Sequence, residues 1–141
     1  MRRDGYYYHV SSIDGRIISI VFFYNNGVVF FINGDGSKIQ DLAYWDSHAL
    51  SNEWIELMKK EKICWGLYLI ENESIVIQRW GGSTSGVHPV ITSYGTIIND
   101  TTYKIIKTTD SGRSDADWTR DIIYNFRTFS PKPDSTNVFI P

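Results

Sequence analysis

Arg79 is the residue whose neighbours most restrict what it can do. It stands in the run Ser74 to Trp80, flanked by β-branched and apolar residues. If that run is a strand, Arg79 shares a face with Ile75 and Ile77. A turn centred on Asn72-Glu73 then sets Ile70 opposite Ile75, Tyr68 opposite Ile77 and Gly66 opposite Arg79. Facing inward, a guanidinium in that company needs a carboxylate, a ring to stack on, or an anionic ligand, because a charge taken out of water is costly unless compensated. Facing outward, it is an ordinary surface cation. The alternate face of the strand ends in Trp80, so the sequence leaves both orientations open.

Other reactive residue types do not assemble into a motif. His9, His48 and His88 are scattered, with no H-x-x-x-H or C-x-x-C spacing to gather metal ligands. Asn33, Asp35, Ser37 and Asp41 alternate like a calcium loop, but Lys38 stands where the sharp turn needs glycine and the closing Glu is absent. Gly82-Ser83-Thr84-Ser85-Gly86 has Thr84 where a nucleophile elbow needs Ser, so it reads as a linker. Asp115 and Asp117 lie near Arg113 and Arg120 in what reads as a solvated loop. The lone Cys64, beside Trp65, reads as a small buried hydrophobe. No phosphate-binding glycine pattern occurs. The expectation is therefore a protein with no catalytic residue, metal or cofactor.

Bulk properties narrow the partners. The 141 residues fit one domain, 1–141, and the net charge of -2 leaves no basic surplus to neutralise nucleic-acid phosphates. No segment reaches the roughly 18 apolar residues of a membrane-spanning helix. Met1-Arg2-Arg3-Asp4 is not followed by an apolar signal core, which fits either a cytoplasmic chain or one whose leader has been removed. Aromatic residues reach 15%, with nine Tyr, seven Phe and five Trp. Rings pack well across pleated strands, and they also line ligand pockets.

The elements that must position these groups are short strands. Gly5 to Ile13, Arg16 to Tyr24 and Val28 to Ile32 are punctuated by Asp14-Gly15 and Asn26-Gly27, strong hairpin signals. With two-residue turns, Ser12 pairs with Ile17, Tyr8 with Val21 and Tyr24 with Val29. One helix comes next at about 51–62, capped by Ser51, with Leu50, Trp54, Leu57 and Met58 on one stripe. Hairpins then resume as Cys64 to Ile70 with Ser74 to Trp80, and Val87 to Ile98 with Thr101 to Thr108. A last strand runs from Ile122 to Phe129, and a proline-containing irregular tail occupies about 130–141. Eight strands in a meander predict an all-β, eight-stranded antiparallel up-and-down barrel with one short helix.

The stretches Trp65-Gly66-Leu67-Tyr68-Leu69-Ile70, Ile75-Val76-Ile77-Gln78, Gly95 to Tyr103, and Phe129-Ser130-Pro131-Lys132-Pro133-Asp134-Ser135-Thr136-Asn137 resemble small bacterial lipocalin-like, calycin-type proteins. Many of these resemble envelope lipoproteins of unassigned function. The resemblance implies an up-and-down barrel and a place in the cell envelope or outside it, with no established chemistry. True lipocalins carry Gly-x-Trp near the first strand, whereas here Trp65-Gly66 stands mid-chain in the reverse order. The helix comes after the third strand rather than lying near the C-terminus, and no acylated cysteine stands near the start, so no ligand position carries over.

The barrel and its rings support two expectations. In the first, the barrel binds a small apolar or anionic molecule, lined by Tyr68, Arg79, Tyr94, Tyr103, Tyr124 and Phe126. In the second, the same rings fill the barrel, and the domain serves as a structural or protein-interaction module of the envelope.

Overall fold

The computed structural model describes residues 1–34, 41–83, 86–113 and 117–140, with the side chains of His48 and Ala49 excepted. Asp35 and Ser37 of the calcium-like stretch, Thr84 of the glycine-flanked loop, and Asp115 lie outside the described residues.

The glycine-marked turns fold successive strands into antiparallel neighbours: β1 (Gly5–Val10), β2 (Ile17–Phe23), β3 (Val28–Asn33), β4 (Trp65–Glu71), β5 (Ser74–Trp80), β6 (Val90–Asn99), β7 (Thr102–Asp110) and β8 (Asp117–Thr128). They form a closed eight-stranded barrel in sequence order. Closure is made by β1 against β8, with Tyr7 opposite Phe126 and Tyr8 opposite Asn125. Closing the sheet removes the unpaired edges that an open sheet would present. The architecture is the up-and-down barrel that the sequence predicts, and it is compatible with a lipocalin-like one.

β2 and β3 are buried along almost their whole length on both faces. That is why their sequences are nearly continuous apolar runs rather than alternating ones. Their inward residues, Val21, Phe23, Val29 and Phe31, join Tyr7, Ile75, Ile77, Tyr103, Ile105 and Tyr124 in the barrel core. Their outward residues, Ile20, Phe22, Phe30 and Ile32, join a second core with Tyr6 and Trp65. The chain between β3 and β4 covers that outer face. It contains α1 (Leu42–Tyr44), a π-helical turn Trp45–Ala49, α2 (Asn52–Met58) and a 3-10 turn Lys62–Cys64. Trp45, Leu50, Ile55 and Cys64 are its buried contributions. The Ser51 hydroxyl caps α2 by accepting from the Trp54 N–H at 3.4 Å. Helix α2 is shorter than the expected 51–62, because Lys59–Glu61 turn away from it and the 3-10 turn comes next. The tail beyond β8 packs Phe129, Phe139 and Ile140 on the same outer core. Lys132 fastens it, donating to the Arg3 and Phe23 carbonyls at 2.8 and 2.6 Å.

Register matches expectation in one hairpin and slips in two. Between β4 and β5, Gly66 faces Arg79, Tyr68 faces Ile77 and Ile70 faces Ile75. The two-residue turn there has positive φ at Asn72. Gly66 is required at its position, since a Cβ would fall 2.2 Å from the Gln78 carbonyl oxygen. Between β2 and β3 the loop holds three residues rather than two. The Tyr24 N–H donates to the Val28 carbonyl, and Phe23, not Tyr24, faces Val29. Gly27, at φ +81°, supplies the left-handed residue that such a three-residue loop needs. Between β1 and β2 the strands end earlier than expected. Ser11 bonds to Arg16, a bulge lies at His9/Val10, and Tyr7 rather than Tyr8 faces Val21.

The later boundaries also move. β6 begins at Val90, just after Pro89, rather than at Val87. β8 begins at Asp117, five residues before the expected Ile122. Its polar start is held by cross-strand ion pairs, Lys107 with Asp117 at 2.8 Å and Lys104 with Asp121 at 2.7 Å.

Gly27→Val should lose more than about 1 kcal/mol of stability in a urea melt, since a β-branched residue resists positive φ. An unchanged midpoint would mean that the loop tolerates another conformation.

Candidate functional site

The barrel interior differs from end to end. At the end holding the 24–27, 72–73 and 100–101 turns, side chains fill it. Met1, Tyr68, Ile70, Ile97 and Phe126 pack there against the buried core. The N-terminal segment lies across this end: the Arg2 N–H reaches the Asp100 carbonyl and the Tyr7 hydroxyl, each at 3.0 Å. The Arg2 guanidinium covers the Phe126 ring at 4.6 Å.

Toward the opposite end the interior opens into a cavity of about 240 Å³. Its apolar walls include Phe31, Ile77, Ile105 and Ile122, and its polar groups are Arg79, Ser93, Tyr103, Thr108, Arg120 and Tyr124. Alternation along the strands explains the set, since Arg120, Ile122 and Tyr124 share one face of β8, and Arg79 shares one of β5 with Ile77. Ile91 lines both this cavity and a wider depression of about 740 Å³ outside it, which is bordered by Gly81, His88, Pro89, Asp110 and Arg113.

Arg79 points inward, the first of the two orientations that the sequence leaves open. Its guanidinium carbon lies 4.8 Å from the Phe31 ring centroid, so one of the three compensations is present, a ring to stack on. Among the described residues it forms no hydrogen bond or ion pair, and no carboxylate lines the cavity. Withdrawal from water lowers its pKa from the ordinary arginine value. A cation–π contact of about 0.5–2 kcal/mol covers one face of the group and satisfies none of its five N–H donors.

Tyr103 is 0% exposed, and its buried hydroxyl has no partner among the described residues. Its ring stacks on Tyr124 at 4.7 Å and 1°. The Tyr124 hydroxyl shares a 3.0 Å hydrogen bond with Ser19 Oγ, and Ser93 Oγ lies 3.3 Å from Thr108 Oγ1.

Three of the six expected lining residues, Arg79, Tyr103 and Tyr124, thus meet in the cavity. Tyr68 and Phe126 face inward but belong to the filled end. The Tyr68 hydroxyl donates to the Tyr24 carbonyl at 2.6 Å and accepts from Arg3 Nε at 3.0 Å. Tyr94 is a correction: it lies on the outer face, 39% exposed, because the inward positions of β6 are Ile91 and Ser93, and alternation turns the residue after Ser93 outward. Phe31, Ser93, Thr108 and Arg120 complete the lining without a place among the expected residues. Alternation within Thr92-Ser93-Tyr94 could have placed Ser93, but the continuous apolar run around Phe31 carries no face signal.

Other reactive types sit apart. His9 Nδ1 is 3.0 Å from the Ile123 carbonyl, and His88 Nδ1 is 2.9 Å from the Gly81 carbonyl. Cys64 is buried, and burial pushes its thiol up to about 11. Among the described residues no three His, Cys, Asp or Glu side chains converge to hold a metal. Among those residues, too, no helix is long and apolar enough to cross a membrane. No protein family, curated protein or solved structure matches the chain.

This geometry sets two testable outcomes. Arg79→Met should hold or raise the stability of the ligand-free protein in a urea melt, since it exchanges a partly buried cation with no hydrogen-bond partner among the described residues for an apolar chain of similar length. A loss of stability would show that the fold already satisfies the guanidinium. The second concerns tyrosine ionisation. Burial raises the pKa of Tyr6, Tyr24, Tyr103 and Tyr124, and brings Tyr7 up to about 12. A free tyrosine ionises near about 10, so above that pH the unfolded chain has released protons that the fold retains. The stabilisation is complete below about pH 10 and falls as pH rises through the folded-state values. Tyrosinate absorbance should therefore appear in two stages, these five ionising only as circular dichroism reports unfolding. Smooth ionisation of all nine tyrosines in a folded barrel would contradict the burial.

Proposed function

We propose that this barrel is a binding domain that holds one small molecule in the cavity around Arg79 and performs no reaction on it. The observation that carries the reading is the inward guanidinium, which has a ring beneath it and no acid among the described residues beside it. The space of about 240 Å³ is open to solvent, so a ligand entering it displaces water rather than filling a dry void. An eight-stranded barrel is the size that holds one small ligand. The reading keeps the protein beside lipocalin-like carriers, and a place in the bacterial envelope rests on the sequence resemblance alone.

A second reading, a module that docks a partner, is favoured by one outer face. Leu69, Val76 and Tyr94 form a row across β4, β5 and β6, with Leu67 nearby; Leu67 is 48% and Leu69 58% exposed.

Native mass spectrometry of the purified protein separates the two. The binding reading expects a non-covalent adduct of small mass that acid denaturation releases. Bare chain alone, with no small molecule raising the melting temperature, would favour the docking module.

A further inference from the structure

We infer that the cavity selects a small aromatic monocarboxylate, a single ring bearing one acid group, with the carboxylate on Arg79 and the ring beside Phe31 and Tyr124. This rests on the binding reading above and deepens it.

The sign comes from the charged groups. The cavity is lined by two guanidinium groups, Arg79 and Arg120, and by no carboxylate among the described residues, in a chain whose net charge is -2. A planar guanidinium matches a carboxylate through two parallel N–H···O bonds, which supply what the Phe31 stack leaves unmet. Arg79 is the inner group. Arg120 is exposed, with its guanidinium carbon 5.2 Å from the Trp118 ring centroid, so it steers an anion inward more than it holds one. One acid group is what the inner site pairs, because Arg79 is the single inner cation and its neighbours Ile77, Ile105 and Ile122 are apolar, while Arg120 is exposed.

The size comes from the volume. An apolar cavity of about 150 Å³ accommodates benzene, and a water occupies about 30 Å³. The 240 Å³ here exceeds the benzene case by the space of about three waters, enough for a ring with a carboxylate and its contacts. The shape comes from the rings that border the space, Phe31 on the Arg79 side and Tyr124, which is held by its stack on the fully buried Tyr103. Offset stacking or edge contact on these rings adds about 0.5–1.5 kcal/mol beyond area burial and favours a ring over a flexible chain.

Calorimetric titration of the full chain with benzoate, benzyl alcohol, hexanoate and palmitate tests this. Benzoate should bind one per chain, about 10- to 100-fold more tightly than benzyl alcohol, the range that one charge-assisted hydrogen-bonded contact supplies. It should also exceed hexanoate. In Arg79→Met, benzoate should fall to the level of benzyl alcohol, while benzyl alcohol is unchanged. The wild-type comparison of acid with alcohol stands even if that variant does not fold. Equal affinity for benzoate and benzyl alcohol, or benzoate binding undiminished in Arg79→Met, overturns the role of the charge. Hexanoate or palmitate binding more tightly than benzoate overturns the ring. In each of those cases the cavity still binds, so the broader reading survives. Failure of all four probes overturns the inference, and only a chain that is also bare in native mass spectrometry removes the broader reading with it.

Discussion

Tyr7 opposite Phe126 and Tyr8 opposite Asn125 join the first strand to the last, and that pairing gives the protein an interior. An antiparallel sheet of eight strands left open would need a second layer on each face to bury its apolar residues. Closed, it buries one face against itself, and only part of the outside needs cover. The helical segment and the C-terminal tail cover β1, β2 and β3, where Tyr6, Phe22 and Phe30 face outward. Asp46 locks this cover to the seam. Its carboxylate accepts from the Tyr6 hydroxyl at 2.9 Å and from Arg127, so the π-helical turn, β1 and β8 are tied at one point. Loosening the seam would therefore disturb both cores together.

The interior is uneven for a reason visible in its side chains. Rings and the N-terminal segment crowd the end near the tight turns, whereas the other end sets Phe31, Tyr103 and Tyr124 among isoleucines, Ser93, Thr108 and two arginines and leaves space between them. Close-packed cores do not ordinarily spend volume in this way. An inward guanidinium resting on Phe31, and a Tyr103 hydroxyl with no partner among the described residues, are what a packing argument alone would remove first.

Legibility in the sequence tracks the turns. Asn72-Glu73 leaves no slack between two β-rich runs, and there every expected pair is found. Asn26-Gly27 marks a bend equally well, but the dipeptide does not say whether the loop has two residues or three. The third residue moves Tyr24 from Val29 to Val28. A slip of one residue exchanges the faces that meet, which is how Tyr7, and not Tyr8, comes to stand beside Val21 in the barrel. The start of β8 is hidden because its charges imitate a loop, and only the partner strand reveals Lys107 and Lys104 as their counterions. The site is legible in the same proportion. Arg79, Tyr103 and Tyr124 announce themselves by type, whereas Tyr94 is turned outward by plain alternation once Ser93 faces in, and Phe31 lies in a run buried on both faces.

The functional meaning of Arg79 rests on its cost. Arginine at this position gives the empty barrel an inward cation with a single aromatic contact, while Met or Leu there would pack against Phe31 and Ile77 without any desolvation cost. An inward cation with no protein oxygen bonded to it among the described residues is the feature on which the proposed anion binding rests. The same reasoning separates Arg79 from Arg2 and Lys132, which are also near rings but find oxygens within the fold, the Arg2 guanidinium on the Asp4 carboxylate and the Lys132 ammonium on two backbone carbonyls. Those two fasten the closed end of the barrel. Arg79 faces the space that the rest of the interior leaves open, and the difference between a fastening cation and a receiving one is whether the fold itself supplies the oxygen.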